Sequence, residues 1–195
     1  MEIATTSQAS IDNLCQLLRE ASVLQTSQYF DGTPVHIAPA PAERQLGQVL
    51  TRYITMVMVT CDDLRIVFKV HFNPEPIRVH RAAQGKKSDA LSDKQLIDYM
   101  KELSNQIGGR VCRVFDAHQI GMGMSIPLCT RGIYEIYADY STRSGAITKF
   151  GDFWRLEGAF GHIYCSCYLE LSADADFSQI RLEDEQVEEG ELDFL

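Results

Sequence analysis

Two hydrophobic periods run along this chain, one of three to four residues and one of two. Ile11, Leu14, Leu17, Leu18, Ala21 and Leu24 fall at helical spacing behind Ser10, which predicts a first helix with Ser10 as its N-cap. The stretch 31–42 (DGTPVHIAPAPA) is rich in Pro, Gly and Ala and reads as a connection. Residues 53–60 (YITMVMVT) are apolar on both faces, as a central strand would be. After a turn at Asp62 and Asp63, the residues Leu64, Ile66, Phe68, Val70 and Phe72 alternate with Arg65, Lys69 and His71, which predicts a half-buried strand. Asn73-Pro74 ends it, and the polar stretch from Pro76 to Ser88 is predicted to be irregular.

The strongest element follows. Ser92 and Gln95 have the spacing of a capping box, in which each side chain satisfies an orphan backbone N–H at a helix start, and Leu91 with Leu96 suits the accompanying staple. Leu96, Met100, Leu103, Ile107, Val111 and Val114 then form one apolar stripe. Gly108 and Gly109 together cost about 2 kcal/mol of helix propensity. The period does not slip across them, so the helix is predicted to continue to about Asp116. Three candidate strands complete the chain: Met122–Leu128, Ile133–Tyr140 and a closing strand. In the last, Ile163, Cys165, Cys167, Leu169 and Leu171 alternate with polar and aromatic residues. The order is helix, two strands, helix, three strands. It predicts an α+β domain: two αβ halves sharing one largely antiparallel sheet, with two long helices packed on it.

Charge sharpens the domain boundary. The net charge is −9, but Ala173–Leu195 holds nine acidic residues against Arg181 alone, which leaves the rest near −1. The expected division is a folded domain at 1–172 and an acidic, disordered tail at 173–195. A near-neutral body argues against nucleic-acid binding, which needs a basic surface to displace counterions. No apolar run has the length to span a membrane, and the first ten residues lack a secretory pattern, so a cytoplasmic protein with reduced cysteines is expected.

On a wheel of 100° per residue, Asp98, Glu102, Asn105 and Gly109 fall opposite the apolar stripe of the long helix. Glu102 and Asn105 are three apart and so are neighbours, and Gly109 leaves a flat spot one turn on. Taken alone this is the ordinary polar face of an amphipathic helix. The string 102–109, ELSNQIGG, has the form Glu-Leu-x-Asn-x-x-x-Gly. It resembles the signature of the CheC/CheX/FliY family of chemotaxis phosphatases, and the order of elements over roughly 10–172 resembles that family too.

The resemblance implies a specific chemistry. The partner would be a phosphorylated CheY-like response regulator, with Mg²⁺ bound to the regulator and no cofactor or metal on this chain. Asn105 would hold the attacking water in line with phosphorus, as a glutamine orients water in small GTPases. Glu102 would pair with the regulator's active-site lysine, and Asp98 and Gly109 would border the docked partner. Two-site members carry a second Glu-x-x-Asn on the first helix. Here that helix has Asp12, Asn13 and Glu20 without that spacing, which implies one site, as in CheX-like members, and a homodimer. The family usually has a helix just before the motif helix, and Pro74, Pro76 and Gly85 interrupt that region here. This mismatch motivates the second reading, a non-catalytic CheX-like binding or adaptor module for a regulator or motility component.

Other features carry less. Gly85-Lys86-Lys87-Ser88 fails as a P-loop, because His80 and Lys87 occupy positions that need Gly and Ser/Thr. His118 and His162 have no partner in sequence. Cys165 and Cys167 would face the same side of a strand and read as core residues. Phe153 and Trp154 lie in a loop-like stretch that would cover one edge of the core. The end Glu191-Leu192-Asp193-Phe194-Leu195 is either a solvated tail or a docking peptide.

Overall fold

A computed structural model describes residues 3–38, 51–84, 91–131, 143–144 and 147–184. Among these residues the chain forms three helices, α1 (Ile3–Tyr29), α2 (Pro74–Ala83) and α3 (Asp93–Ala117). The strands are β1 (His36–Ala38), β2 (Tyr53–Thr60), β3 (Leu64–Phe72), β4 (Gly123–Met124), β5 (Leu128–Arg131), β6 (Arg143–Ser144), β7 (Ile147–Gly158) and β8 (Gly161–Ser172). They make one sheet in the order β1-β7-β8-β3-β2-β4, with β5 also on β2 and β6 on β7. All of its pairings are antiparallel.

Each half contributes a long helix and a long hairpin, and the hairpins β2–β3 and β7–β8 join where β3 pairs with β8. The helices cross over: α1 lies on β7 and β8, whereas α3 lies on β2 and β3. One core fills the space between helices and sheet. Leu14, Leu17, Leu18 and Ala21 of α1 meet Leu96, Met100, Leu103, Ile107 and Val111 of α3 and the inward residues of the strands. Cys165 and Cys167 are buried on the inward side of β8, as small core residues.

Several expectations need correction. The first helix starts before Ser10, which lies inside it, buried. Ser10 Oγ accepts the backbone N–H of Phe177 at 2.9 Å instead of capping α1. Part of the supposed connection forms β1, paired with β7. The stretch from Pro76 contains α2, whose prolines sit in the first turn, where a missing N–H costs no helical bond. Met122–Leu128 is not one strand: β4 and β5 each pair with β2 and flank Ser125–Pro127. Trp154 is not in a loop. It sits in β7, 2% exposed, and its indole N–H donates to Ser22 Oγ at 3.0 Å.

The packed body does not stop at Ser172. Phe177 and Ile180 are buried in the core, and Phe115 meets Phe177 edge to face. The Asn13 amide of α1 donates to both Phe177 O and Ile180 O at 2.7 Å. Two apolar side chains and a double amide bond hold 173–184 as a strap, despite its acidic composition. The expected strand at Ile133–Tyr140, the Gly85–Ser88 loop and the tail from Glu185 lie outside the described residues.

Candidate functional site

The long helix runs through both glycines to Ala117, as its unbroken stripe predicts. Its start is fixed twice. The capping box is present, with Ser92 N–H donating to Gln95 Oε1 at 2.9 Å and Gln95 N–H to Ser92 Oγ at 3.3 Å. Asp93, in the first turn, accepts from the Arg78 guanidinium of α2 and from Tyr53 Oη of β2 at 2.9 Å, and Arg52 lies 3.0 Å away. The hydrogen bond from Arg78 and then that from Tyr53 hold the Asp93 carboxyl below its ordinary pKa. A carboxylate at this end also suits the helix dipole.

The middle of α3 is held closely on β2. Ser104, fully buried, has its Oγ 2.7 Å from Thr55 Oγ1. One turn on, a Cβ on Gly108 would lie 2.9 Å from Met124 Sδ and 3.3 Å from Val57 Cγ1, so a side chain here would require Met124 to swing aside and Val57 to give by a few tenths of an ångström. The two glycines therefore differ. Gly109 is on the outer side, where a Cβ would meet only the Arg113 guanidinium, at 3.8 Å. The flat spot is thus bordered by Arg113.

Asp98 and Glu102 are exposed, and Asn105 and Gly109 are half-buried, all on the side of α3 turned away from the core. The face is bounded on one side by the end of α1. Burial raises the Tyr29 phenol, followed by the nearby Tyr99 and then by the Glu102 carboxylate. On the other side lies β5. There burial raises the Cys129 thiol, with Lys101 and Asp98 close enough to act on it. Gln106 Nε2 donates to Glu102 Oε1 at 3.3 Å. Among the described residues the Asn105 amide has no hydrogen-bond partner. The structure therefore brings all four sequence-chosen residues onto one ridge, with an unengaged amide one turn of helix from a carboxylate.

Such a ridge can enter a cleft on another molecule but cannot itself enclose a small substrate. A cavity of about 470 Å³ lies elsewhere, between α1 and β7, lined by Asp12, Gln16, Arg19 and Asp152 among others. His118 caps the end of α3 and His162 is exposed on β8, both away from the ridge. Among the described residues no group of His, Cys, Asp and Glu could hold a metal, and no helix is long and apolar enough to cross a membrane. The sequence reading missed Ser104 and Thr55. A serine among Met100, Leu103, Ile107 and Val111 was the available signal.

No family model matches the chain, and no curated protein matches its sequence. Solved structures do match. The chemotaxis protein CheX from Vibrio vulnificus superposes with a TM-score of 0.55 at 10% identity, over 78% of this chain and 96% of that one. A CheC-like superfamily protein from a Shewanella species gives 0.53 at 10% identity, over 83% and 97%. A chain of the CheX–CheY–BeF3–Mg²⁺ complex from Borrelia burgdorferi gives 0.52 at 10% identity, over 81% and 97%. At these identities the likeness is one of fold: this chain has the fold of CheX and CheC-like proteins.

Proposed function

We propose that this chain is a phosphatase that hydrolyses the aspartyl phosphate of a CheY-like response regulator in the cytoplasm. The observation that carries the reading is the juxtaposition, on the solvent side of α3, of Glu102 with an Asn105 that has no partner among the described residues. The fold it stands on is shared with a CheX protein solved together with CheY, BeF3 and Mg²⁺.

The chemistry asks little of this chain. Water attacks phosphorus, the bond from phosphorus to the regulator's carboxylate oxygen breaks, and carboxylate and inorganic phosphate result. The regulator supplies the Mg²⁺. A neutral amide suits the remaining task, because Asn105 can accept a hydrogen bond from the water and donate one beside it without competing for the metal. Glu102, one turn away and steadied by Gln106, pairs with a lysine of the regulator and fixes the register of docking. Asp98 and Gly109 border the partner, and the small Gly109 lets its surface come close. The adaptor reading loses most of its motive, since α2 occupies Pro74–Ala83, within the region that the sequence left irregular.

The test is the decay of phosphorylated regulators from the same organism, with Mg²⁺ and with or without this protein. Acceleration of one regulator, falling about 100-fold in Asn105→Ala, is expected for a lost positioning group. An Asn105→Ala protein as fast as the parent, or no acceleration of any regulator, overturns the reading.

The reading includes a homodimer. The β4–β5 edge exposes Met124, Ile126 and Leu128 at 40%, 79% and 57%, an apolar margin that a second copy would cover. Light scattering should give twice the chain mass, and Ile126→Lys should return the mass of one chain. A parent that is monomeric at high concentration removes the dimer from the proposal.

A further inference from the structure

We infer that the buried hydroxyl pair Thr55–Ser104 positions Asn105, by fixing the rotation of α3 on the sheet. The inference rests on the phosphatase reading for its kinetic readout. Ser104 directly precedes Asn105, and both hydroxyl residues are fully buried in an interface that is otherwise apolar. Their oxygens are 2.7 Å apart. Ser104 Oγ lies 3.2 Å from Met100 O, and Thr55 Oγ1 lies 3.5 Å from Val70 O. Each hydroxyl has one proton, so one of the two donates across the interface while the other donates to its backbone carbonyl.

Apolar contact is non-directional and leaves a helix able to roll or slide by a fraction of an ångström. A hydrogen bond from strand to helix does not. The glycine contact one turn on, Gly108 against Val57, fixes how close α3 comes but has no angular preference. The anchor at Asp93 is three turns from Asn105 and acts on the end of the helix. The hydroxyl pair is thus the one directional bond described between the motif segment of α3 and the sheet. Side chains reach about 5–6 Å from a helix axis, so a roll of about 10° carries the Asn105 amide about 1 Å. A misplacement of that size is worth about 100-fold in a reaction that depends on positioning.

The test uses the full chain. Thr55→Val removes one hydroxyl of the pair and keeps the shape; Ser104→Ala is the second variant, and leaves Thr55 within reach of Val70 O. Both are expected to lower kcat about 10-fold or more, with KM for the phosphorylated regulator within about twofold of the parent. Thr55→Ser should restore kcat. A merely structural role would lower the thermal midpoint and leave kcat per folded molecule unchanged, and that result overturns the inference. If Asn105→Ala is inactive while both hydroxyl variants keep full kcat, the inference falls and the phosphatase reading stands. If Asn105→Ala matches the parent, the phosphatase reading falls. The NMR shifts of the Asn105 side-chain amide in Thr55→Val then decide the positioning on their own: moved shifts support it, and unmoved shifts overturn it.

Discussion

Asn13 and Asn105 each sit on one of the two long helices, and they are used in opposite ways. Asn13 is 9% exposed, donates to two carbonyls of the C-terminal strap and accepts from Arg181. Asn105 is half-exposed and has no hydrogen-bond partner among the described residues. The same contrast holds along the helices. On α1, Ser10 holds Phe177 N–H, Ser22 holds the Trp154 indole and Arg19 makes two 2.8 Å bonds to Asp152. On α3, the outward Asp98 and Glu102 are exposed and Asn105 is half-buried, and the one bond described among them is that from Gln106, on the same helix, to Glu102. Polar groups that the fold consumes serve stability, and polar groups that it leaves unpaired are available to a partner.

The comparison is broken most directly by exchanging the two effects. Asn105→Ala should cost about 100-fold in regulator dephosphorylation and leave the urea midpoint unchanged, since no internal bond is lost. Asn13→Ala should do the reverse. It removes two 2.7 Å bonds to the strap, leaving Phe177 O with the Ile180 N–H and Ile180 O with Arg181, and should cost about 1–2 kcal/mol by urea denaturation, with the rate per folded molecule preserved. Loss of stability in the first variant, or of turnover in the folded second, would show that the two helices are not divided in this way.

A smaller effect comes from the outer face of the sheet. His71 is 2% exposed, its Nε2 lies 2.9 Å from Ser166 Oγ, and its ring meets Phe153 edge to face. Burial, helped by Lys69, lowers its pKa to about 3. The unfolded chain binds that proton below about pH 6.5 and the folded chain does not. This contribution is therefore complete above pH 6.5 and is lost as pH falls toward 3. Going from pH 7 to pH 5 should cost about 2 kcal/mol of unfolding free energy. The loss should shrink in His71→Gln, measured by urea melts at both pH values. An equal loss in the variant would assign the acid sensitivity to other groups.

How much was legible follows from where each signal lies. The capping box and stripe of α3, the alternation in β3 and β8 and the outward placement of Asp98, Glu102, Asn105 and Gly109 are set by neighbours within a few turns. They could be read directly. The strand β7 was missed because its inward row is Thr148, Phe150, Asp152, Trp154 and Leu156, and Asp152 breaks the apolar pattern. Arg19, 133 residues away, supplies the charge that makes an inward aspartate tolerable. The strap was missed for the same kind of reason. Its acidic composition predicts solvation, while Asn13 and Ser10 supply bonds from the far end of the chain.

The sequence by itself determined the periods, the helix start and the polar ridge, because caps and amphipathic faces depend on residues close in the chain. Only the tertiary structure decided which polar residues are spent and which remain. It placed α3 over β2 and β3, set Ser104 on Thr55, and left Asn105 without a partner among the described residues, because pairing across the sheet depends on residues that meet only when the chain has folded.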